Sequence, residues 1–223
     1  MNSSIYLDIG NLNAKWKFDG KYFENPTSEF NLDNLPKSSK IWMSNVSSNL
    51  VINSQPNISL VKSQKRYKTL INSYEEVDKL GSDRWLAMIA SYELNQGSGF
   101  IVVDIGTAVT IDLVDNSGLH IGGVIFPGLL KIRSTFSHFP VSEEINIDEI
   151  SQSTEGAWSI GTLGILVNGI NRKIHDIKAK DPDVNVYLTG GGVSDLGKLL
   201  DFSYVYYKNL VLDGLELYAN NMR

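Results

Sequence analysis

The sequence contains no cysteine. This absence excludes disulfide bonds, cysteine nucleophiles and thiolate zinc sites, and it fits a reducing compartment. The three histidines, His120, His138 and His175, lack the spacing of metal ligands, so we expect no zinc site. There is no run of about 18 apolar residues, the length that would span a membrane, and no leader pattern in MNSSIYLDIG. We therefore expect a soluble, cytoplasmic protein.

The sequence also lacks an excess of positive charge. Its formal net charge is −5 and its pI is about 5.2, so we expect neither nucleic acid nor a membrane as the main partner. Any anionic ligand would need local positive groups. The chain has 223 residues, 42% of them hydrophobic, which is enough for one large domain or two smaller ones with separate cores.

Both common nucleotide-binding motifs are missing. There is no phosphate-binding loop of the form G-x-x-x-x-G-K-[ST], and the glycines at 190–192 do not have the G-x-G-x-x-G spacing. A glycine cluster between a strand and a helix still permits close backbone approach to a ligand. An ordinary tight turn is the alternative.

What the sequence does contain is one strand pattern that occurs twice. IYLDIG at 5–10 and IVVDIG at 101–106 each place an aspartate, Asp8 or Asp104, beside a glycine turn. A carboxylate next to free backbone N–H groups can hold a cation and phosphate oxygens together. Lys15 follows the first turn and Thr107 follows the second. The alternative is that each aspartate only caps a hairpin.

The order of elements restarts with the second pattern. Each half opens with strand, glycine turn and strand, and the helical periodicity of GSDRWLAMIASYELN precedes the restart, with Ser82 and Asp83 as candidate caps. The sequence predicts an α/β protein of two related lobes, residues 1–98 and 99–223. Residues 24–40 read as loop or short helix.

A third informative stretch is LGSDRW at 80–85. Asp83 and Arg84 stand at the predicted start of a helix, where an aspartate can accept a proton from a substrate hydroxyl and an arginine can hold a carboxylate. The alternative to a substrate site is an aspartate that only caps the helix, beside an arginine exposed to solvent. An ionised Asp83 already has the accepting form at pH 7, so no raised pKa is required.

Together these stretches resemble the type III pantothenate kinases, a family of the acetate kinase/sugar kinase/Hsp70/actin superfamily with duplicated ribonuclease H-like lobes. The resemblance is carried, in order, by DIGNLNAK, Tyr74 followed by LGSDRW, VDIGTAVTIDL, GGVIFPG, STEGAWSIG, LTGGG and NLVLDGL. It covers most of the chain. It implies the actin-like ATPase fold, in which each lobe is a mixed sheet flanked by helices.

The resemblance also implies an activity, the ATP-dependent phosphorylation of pantothenate to 4'-phosphopantothenate, the first step of coenzyme A synthesis. Asp83 would be the general base. The implied ATP contacts are Asp8, Ile9, Gly10, Asn11, Leu12, Asn13, Ala14, Lys15 and Thr107. The implied pantothenate contacts are Tyr74, Gly81, Ser82, Asp83, Arg84 and Thr154, with Arg84 as partner of the carboxylate.

Cofactors and assembly follow from the same resemblance. Asp8 would help to place Mg²⁺ or another divalent cation bound with ATP, and Asp104 would bind a monovalent cation, K⁺ or NH₄⁺. Thr154 would reach pantothenate across the interface of a homodimer, so that two chains complete one site.

Two features depart from the family pattern. Leu12 stands where a small or hydroxylated residue is usual, which implies that one phosphate contact is lost or made by the backbone. The first lobe is compressed within residues 20–70. Three alternatives remain open: a non-catalytic accessory or regulatory relative, another enzyme of the superfamily such as a sugar kinase, acetate kinase or polyphosphate phosphatase, and an actin-like filament or chaperone lobe. The stretch GSDRW after Tyr74 favours the pantothenate pocket.

Overall fold

The computed structural model describes residues 4–37, 40–47, 55–95, 97–142 and 145–222. It forms two compact units, one built from Met1–Val102, Asp112–Gly122 and Asn209–Arg223, the other from Val103–Ile111 and Gly123–Lys208. Each unit is therefore discontinuous in sequence. The boundary predicted between residues 98 and 99 separates the two copies of the repeated strand pattern. The division into compact units follows contacts between residues and leaves that boundary a prediction.

The first sheet lies in the first unit and has the order β3-β2-β1-β4-β5. Its strands are β1 (Ser4–Ile9), β2 (Asn13–Phe18), β3 (Lys21–Pro26), β4 (Lys40–Asn45) and β5 (Ile58–Leu60). β1, β2 and β3 are antiparallel, whereas β4 and β5 run parallel to β1. Asp19 and Gly20 join β2 to β3 with φ of 48° and 73°, the left-handed pair that two-residue hairpins require.

The two faces of this sheet have different partners. Alternate side chains of β1, β2 and β4 form the core with Phe30, from the segment that follows β3: they are Ile5, Leu7, Ile9, Ala14, Trp16, Ile41 and Met43. On the other face Trp42 packs edge to face on Tyr218, and Lys17 bonds to Asp213. The side-chain period of two in a strand produces this division. Asp8 shares its face with Tyr6, one step of that period away.

Two helices of the first unit pack together on that second face. They are α1 (Ser82–Leu94) and the C-terminal helix, α5 (Leu210–Asn221). Gly214 makes their close approach possible, since a Cβ there would lie 2.6 Å from the carbonyl carbon of Leu86. The chain thus returns at its end to brace the helix that carries Asp83. A small hairpin of β6 (Arg66–Tyr67) and β7 (Leu70–Ile71) also lies in this unit.

The second sheet repeats the order of the first. It runs β10-β9-β8-β11-β12, with β8 (Phe100–Ile105), β9 (Ala108–Val114), β10 (His120–Pro127), β11 (Asn185–Thr189) and β12 (Val205–Tyr206). The remaining helices are α2 (Leu129–Arg133), α3 (Thr154–Lys178) and α4 (Val193–Leu196). Two mixed five-stranded sheets of one topology confirm the predicted duplication and fold class.

Local predictions are confirmed with one correction. The helix after Gly81 and the short 3₁₀ turns between β3 and β4 are both present. Ser82 and Asp83, however, do not cap α1: Gly81 is the N-cap, and both are helical residues. The hydroxyl of Ser82 instead contacts that of Ser44, and a carboxylate oxygen of Asp83 accepts from the N–H of Arg84. No helix among the described residues is both long and apolar enough to cross a membrane.

Candidate functional site

A row of polar residues crosses the first sheet at the C-terminal end of β1. Asp8 is the register partner of Lys15 on β2 and of Ser44 on β4, so the three side chains project from one face. Asp8 and Lys15 are half-buried, whereas Ser44 is fully buried. A serine from a distant part of the sequence thus lies in line with Asp8 and Lys15.

Ser44 links this row to the start of α1. Its hydroxyl lies 3.0 Å from the hydroxyl of Ser82, which directly precedes Asp83. The segment before the helix is also fixed, because Ser63 Oγ donates to the carbonyl oxygens of Leu80 (2.8 Å) and Gly81 (3.2 Å). Two buried hydroxyl contacts thus set the position of Asp83 relative to the strand that carries Asp8.

The turn after Asp8 is held from outside by Thr27. Its N–H donates to the carbonyl of Leu12 and its hydroxyl to the carbonyl of Gly10, both at 2.8 Å. Gly10 N–H closes the turn on the carbonyl of Asn13. The side chain of Leu12 is 52% exposed, so the unusual leucine needs no space within the core.

Asp83 sits in the first turn of α1, where one carboxylate oxygen accepts from the N–H of Arg84 at 2.8 Å. Burial raises the pKa of Asp83, and the nearby charge of Asp112 adds to this, while the N–H and charge of Arg84 oppose it. Gly81 leaves room for the carboxylate, since a Cβ at that position would lie 2.5 Å from its Oδ1. The raised pKa gives the Asp83 carboxylate a stronger affinity for a proton.

Arg84 is buried and engaged in a two-pronged ion pair with Asp112. Nε donates to Asp112 Oδ2 at 2.9 Å and Nη2 donates to Oδ1 at 2.5 Å, while Nη1 donates to the hydroxyl of Tyr74 at 3.1 Å. Burial alone lowers the pKa of Arg84, but the bonds and charge of Asp112 outweigh it and hold the pKa above its usual range. The guanidinium is therefore charged and fixed in orientation.

His120 completes this cluster. Its Nε2 lies 2.9 Å from Asp112 Oδ1, and its ring stacks on Tyr74 with a centroid distance of 5.8 Å. Asp112 and His120 are 1% and 0% exposed. Burial raises the pKa of Asp112, but the hydrogen bonds of His120 and Arg84 lower it more, so the carboxylate stays ionised. Sequence reasoning missed both residues, although a lone aspartate in the apolar strand TIDLV was an available signal.

The second unit carries the second motif. Asp104 is the penultimate residue of β8 and lies beside the glycine turn after β11. A Cβ on Gly190 would collide with its carboxylate, and one on Gly106 would lie 3.8 Å away. Gly192 N–H donates to the carbonyl of Ile105. Thr107 is exposed, and its carbonyl accepts from Gly128 N–H. Gly190, the first of the three glycines, thus packs directly against the predicted cation residue.

The predicted residues therefore fall into separate groups. Tyr74, Gly81, Ser82, Asp83 and Arg84 are contiguous in the first unit and connect to the Asp8 row, whereas Asp104 and Thr107 belong to the second unit. Thr154 is the exposed first residue of α3, after the N-cap Ser153. No group of three His, Asp or Glu side chains with metal-site geometry occurs among the described residues.

Comparison with known proteins identifies relatives over most of the chain. A family model described as type III pantothenate kinase matches residues 17–174. Curated type III pantothenate kinases of Marinobacter nauticus, Cellvibrio japonicus and Hahella chejuensis are 40%, 30% and 33% identical over 68%, 70% and 71% of this chain. These matches cover 63%, 64% and 66% of the relatives, so the chain spans less than two thirds of their length.

Solved structures show the same fold over the whole chain. A Campylobacter jejuni protein described as a Baf family transcriptional activator is 28% identical, with a TM-score of 0.68 and coverage of 98% of both chains. A Sinorhizobium meliloti protein described as a 2-dehydro-3-deoxygalactonokinase and a ParM protein are similar in fold alone, with TM-scores of 0.60 and 0.54 at 11% and 12% identity. The fold is therefore that of the actin-like ATPases and sugar kinases.

Proposed function

Since this chain belongs to the type III pantothenate kinase family, we propose that it transfers the γ-phosphoryl group of ATP to the primary hydroxyl of pantothenate. The product would be 4'-phosphopantothenate, the first intermediate of coenzyme A synthesis, made in the cytoplasm. The observation that carries this proposal is the hydroxyl contact between Ser44 and Ser82, which couples the Asp8 row to the segment bearing Asp83 and Arg84.

Asp83 is the proposed general base. Phosphoryl transfer depends chiefly on positioning and charge neutralisation, and a base needs to accept the proton of the attacking hydroxyl. A half-buried carboxylate with a raised pKa holds that proton better than an exposed one. Arg84, adjacent in sequence and fixed by Asp112, is the proposed partner of the pantothenate carboxylate, with Tyr74, Gly81 and Ser82 around it.

The proposed ATP-binding residues are the turn from Asp8 to Lys15 and, from the second motif, Thr107. Lys15 is partly exposed and only loosely paired with Glu24 at 3.9 Å, so its charge is available to a phosphate. Asp8 would help to hold a divalent cation, which neutralises phosphate charge when bound.

Asp104 is the proposed ligand of a monovalent cation. Its carboxylate and the carbonyl oxygen of Ile105 both lie next to Gly190, where a side chain would collide with them. Carboxylate and carbonyl oxygens are suitable ligands for hard cations. A homodimer with Thr154 contributed across its interface is part of the same proposal, and the exposure of Thr154 supports it.

One set of assays tests the proposal. ATP consumption should depend on pantothenate and rise with K⁺ or NH₄⁺. Asp83→Asn should lose at least about a hundredfold in turnover, the lower range of what a positioned base contributes. Asp104→Ala should abolish the K⁺ stimulation, and Thr154→Ala should raise the KM for pantothenate more than that for ATP. ATP use that never responds to pantothenate would overturn the proposal.

A non-catalytic regulatory role is the second candidate. It is favoured by the similarity to the Campylobacter jejuni protein, which is described as a transcriptional activator. The intact constellation of Asp8, Lys15, Asp83, Arg84 and Asp104 argues against it. A protein that binds pantothenate and ATP in calorimetry but yields no phosphorylated product would support this alternative.

A further inference from the structure

We infer that Asp112, held in turn by His120, is a positioning residue that makes the enzyme selective for a substrate bearing a carboxylate. The inference rests on the proposed function, because it concerns the way Arg84 presents its guanidinium to pantothenate. Asp112 lies on β9 and Arg84 on α1, and neither position belongs to the phosphate-binding turns.

The hydrogen bonds of Arg84 determine which donors remain for a ligand. Asp112 takes Nε and one hydrogen of Nη2, and Tyr74 takes one hydrogen of Nη1. One N–H on each terminal nitrogen is left. A planar guanidinium fixed along one edge can present two such donors to both oxygens of a second carboxylate.

Charge alone cannot give this selectivity. Asp112 neutralises Arg84, so the pair attracts a distant anion little, and recognition depends on the direction of the remaining N–H bonds. A guanidinium released from Asp112 would keep its charge but rotate about its side-chain torsions. Directed hydrogen bonds to a carboxylate would then be weakened, while contacts to the rest of the substrate would persist.

His120 fixes Asp112 in this arrangement. Its ring is fully buried, stacks on Tyr74 with 14° between the ring planes, and reaches Asp112 Oδ1 through Nε2. Nδ1 is buried with no hydrogen-bond partner in the described part of the chain, so Nε2 is the ring's polar contact. His120 therefore holds both residues that touch the Arg84 guanidinium, one by a hydrogen bond and one by stacking.

A purely structural role is the alternative, because breaking a buried ion pair commonly destabilises a fold. The two roles differ in substrate selectivity. A structural defect lowers activity toward every substrate, whereas a displaced Arg84 affects a carboxylate specifically. Pantothenyl alcohol provides the comparison, since it keeps the primary hydroxyl of pantothenate and replaces the carboxylate by a hydroxymethyl group.

The experiment measures kcat/KM for pantothenate and for pantothenyl alcohol in the full chain. For Asp112→Asn we expect the preference for pantothenate to fall by about tenfold or more, the range of a charge-assisted hydrogen bond, with the KM for ATP unchanged. Arg84→Lys should lower the same preference, and the double variant should lower it little further. Asp183→Asn, the same charge change at an exposed position, should leave the preference at the wild-type value.

A second pair of variants covers the case in which Asp112→Asn does not fold. His120→Gln retains an N–H donor for Asp112 and should keep the preference, whereas His120→Leu should reduce it. An unchanged preference in Asp112→Asn or in His120→Leu overturns this inference while the proposed function stands. A wild-type protein that phosphorylates neither compound overturns the proposed function, and this inference with it.

Discussion

Asp8 and Ser44 are register partners on the parallel strands β1 and β4, and the hydroxyl of Ser44 contacts that of Ser82. Through this pair the strand that carries Asp8 is joined to Ser82, the residue before Asp83. In the proposed kinase Ser44 would keep the Asp8 turn and the proposed base, Asp83, in register.

Ser44→Ala is expected to lower kcat several-fold and to reduce the free energy of unfolding by about 1 kcal/mol, because the Ser82 hydroxyl loses its buried partner. Steady-state kinetics and urea unfolding measure the two effects. Ser203→Ala, at an exposed serine, serves as the control and should change neither. Wild-type kcat in Ser44→Ala would show that Ser82 needs no such contact.

Thr27 is expected to govern ATP binding through the turn that it holds. Thr27→Val preserves shape but removes the hydroxyl that donates to Gly10, so the turn loosens and the KM for ATP should rise about tenfold. Thr27→Ser keeps the hydroxyl and should remain near wild type. The KM for pantothenate should change little in both. Equal ATP affinity in the Val and Ser variants would contradict this role.

The raised pKa of Asp83 predicts a pH dependence. The proposed base would act only when ionised, so kcat/KM should rise with pH through an apparent pKa above that of an ordinary aspartate. Because the folded-state pKa exceeds the unfolded one, Asp83 favours the folded state below the unfolded pKa, and this contribution is lost as pH rises through the folded pKa.

The variant Asp83→Asn separates the effect of the raised pKa on stability from its effect on activity. Asp83→Asn removes the cost of a buried charge, so at neutral pH its melting temperature should equal or exceed that of the wild type although its activity is lost. Arg84 and Asp112 are the other charged groups that face Asp83, and both remain in this variant. A clearly lower melting temperature would mean that the ionised carboxylate stabilises the fold.

The structure shows how much of this site the sequence alone could predict. Strand alternation, glycine turns and helical periodicity are local signals, and they located β1, β2, α1 and the stretch from Gly81 to Arg84. The pairing of Arg84 with Asp112 joins a helix to a strand distant in sequence, and no local pattern specifies it. The return of α5 onto α1, which makes the first unit discontinuous, is likewise a tertiary contact.

The start of α1 is a second feature that local sequence patterns did not predict correctly. Ser82 and Asp83 have the residue types of caps, yet Ser82 bonds to Ser44 and Asp83 to the N–H of Arg84. Contacts made by the tertiary fold thus decide the roles of residues whose types also suit a local one.

The glycine turn after β11 offers a test with an internal control. Gly190 has a φ of 100°, and a Cβ there would collide with the carbonyl of Ile105 and the carboxylate of Asp104, whereas a Cβ on Gly191 meets nothing within 4 Å. Gly190→Ala should destabilise the protein by about 1–3 kcal/mol and abolish K⁺ stimulation. Gly191→Ala should be close to wild type in thermal unfolding. Similar effects of the two substitutions would contradict the proposed cation site.

The most direct test of the account is identification of the product made by the wild-type protein from ATP, Mg²⁺, K⁺ and pantothenate. Mass spectrometry and phosphorus NMR should show one phosphate added to pantothenate, on its primary hydroxyl, in amounts equal to the ADP formed. Absence of this product, or ADP formation without it, would contradict the proposed kinase activity.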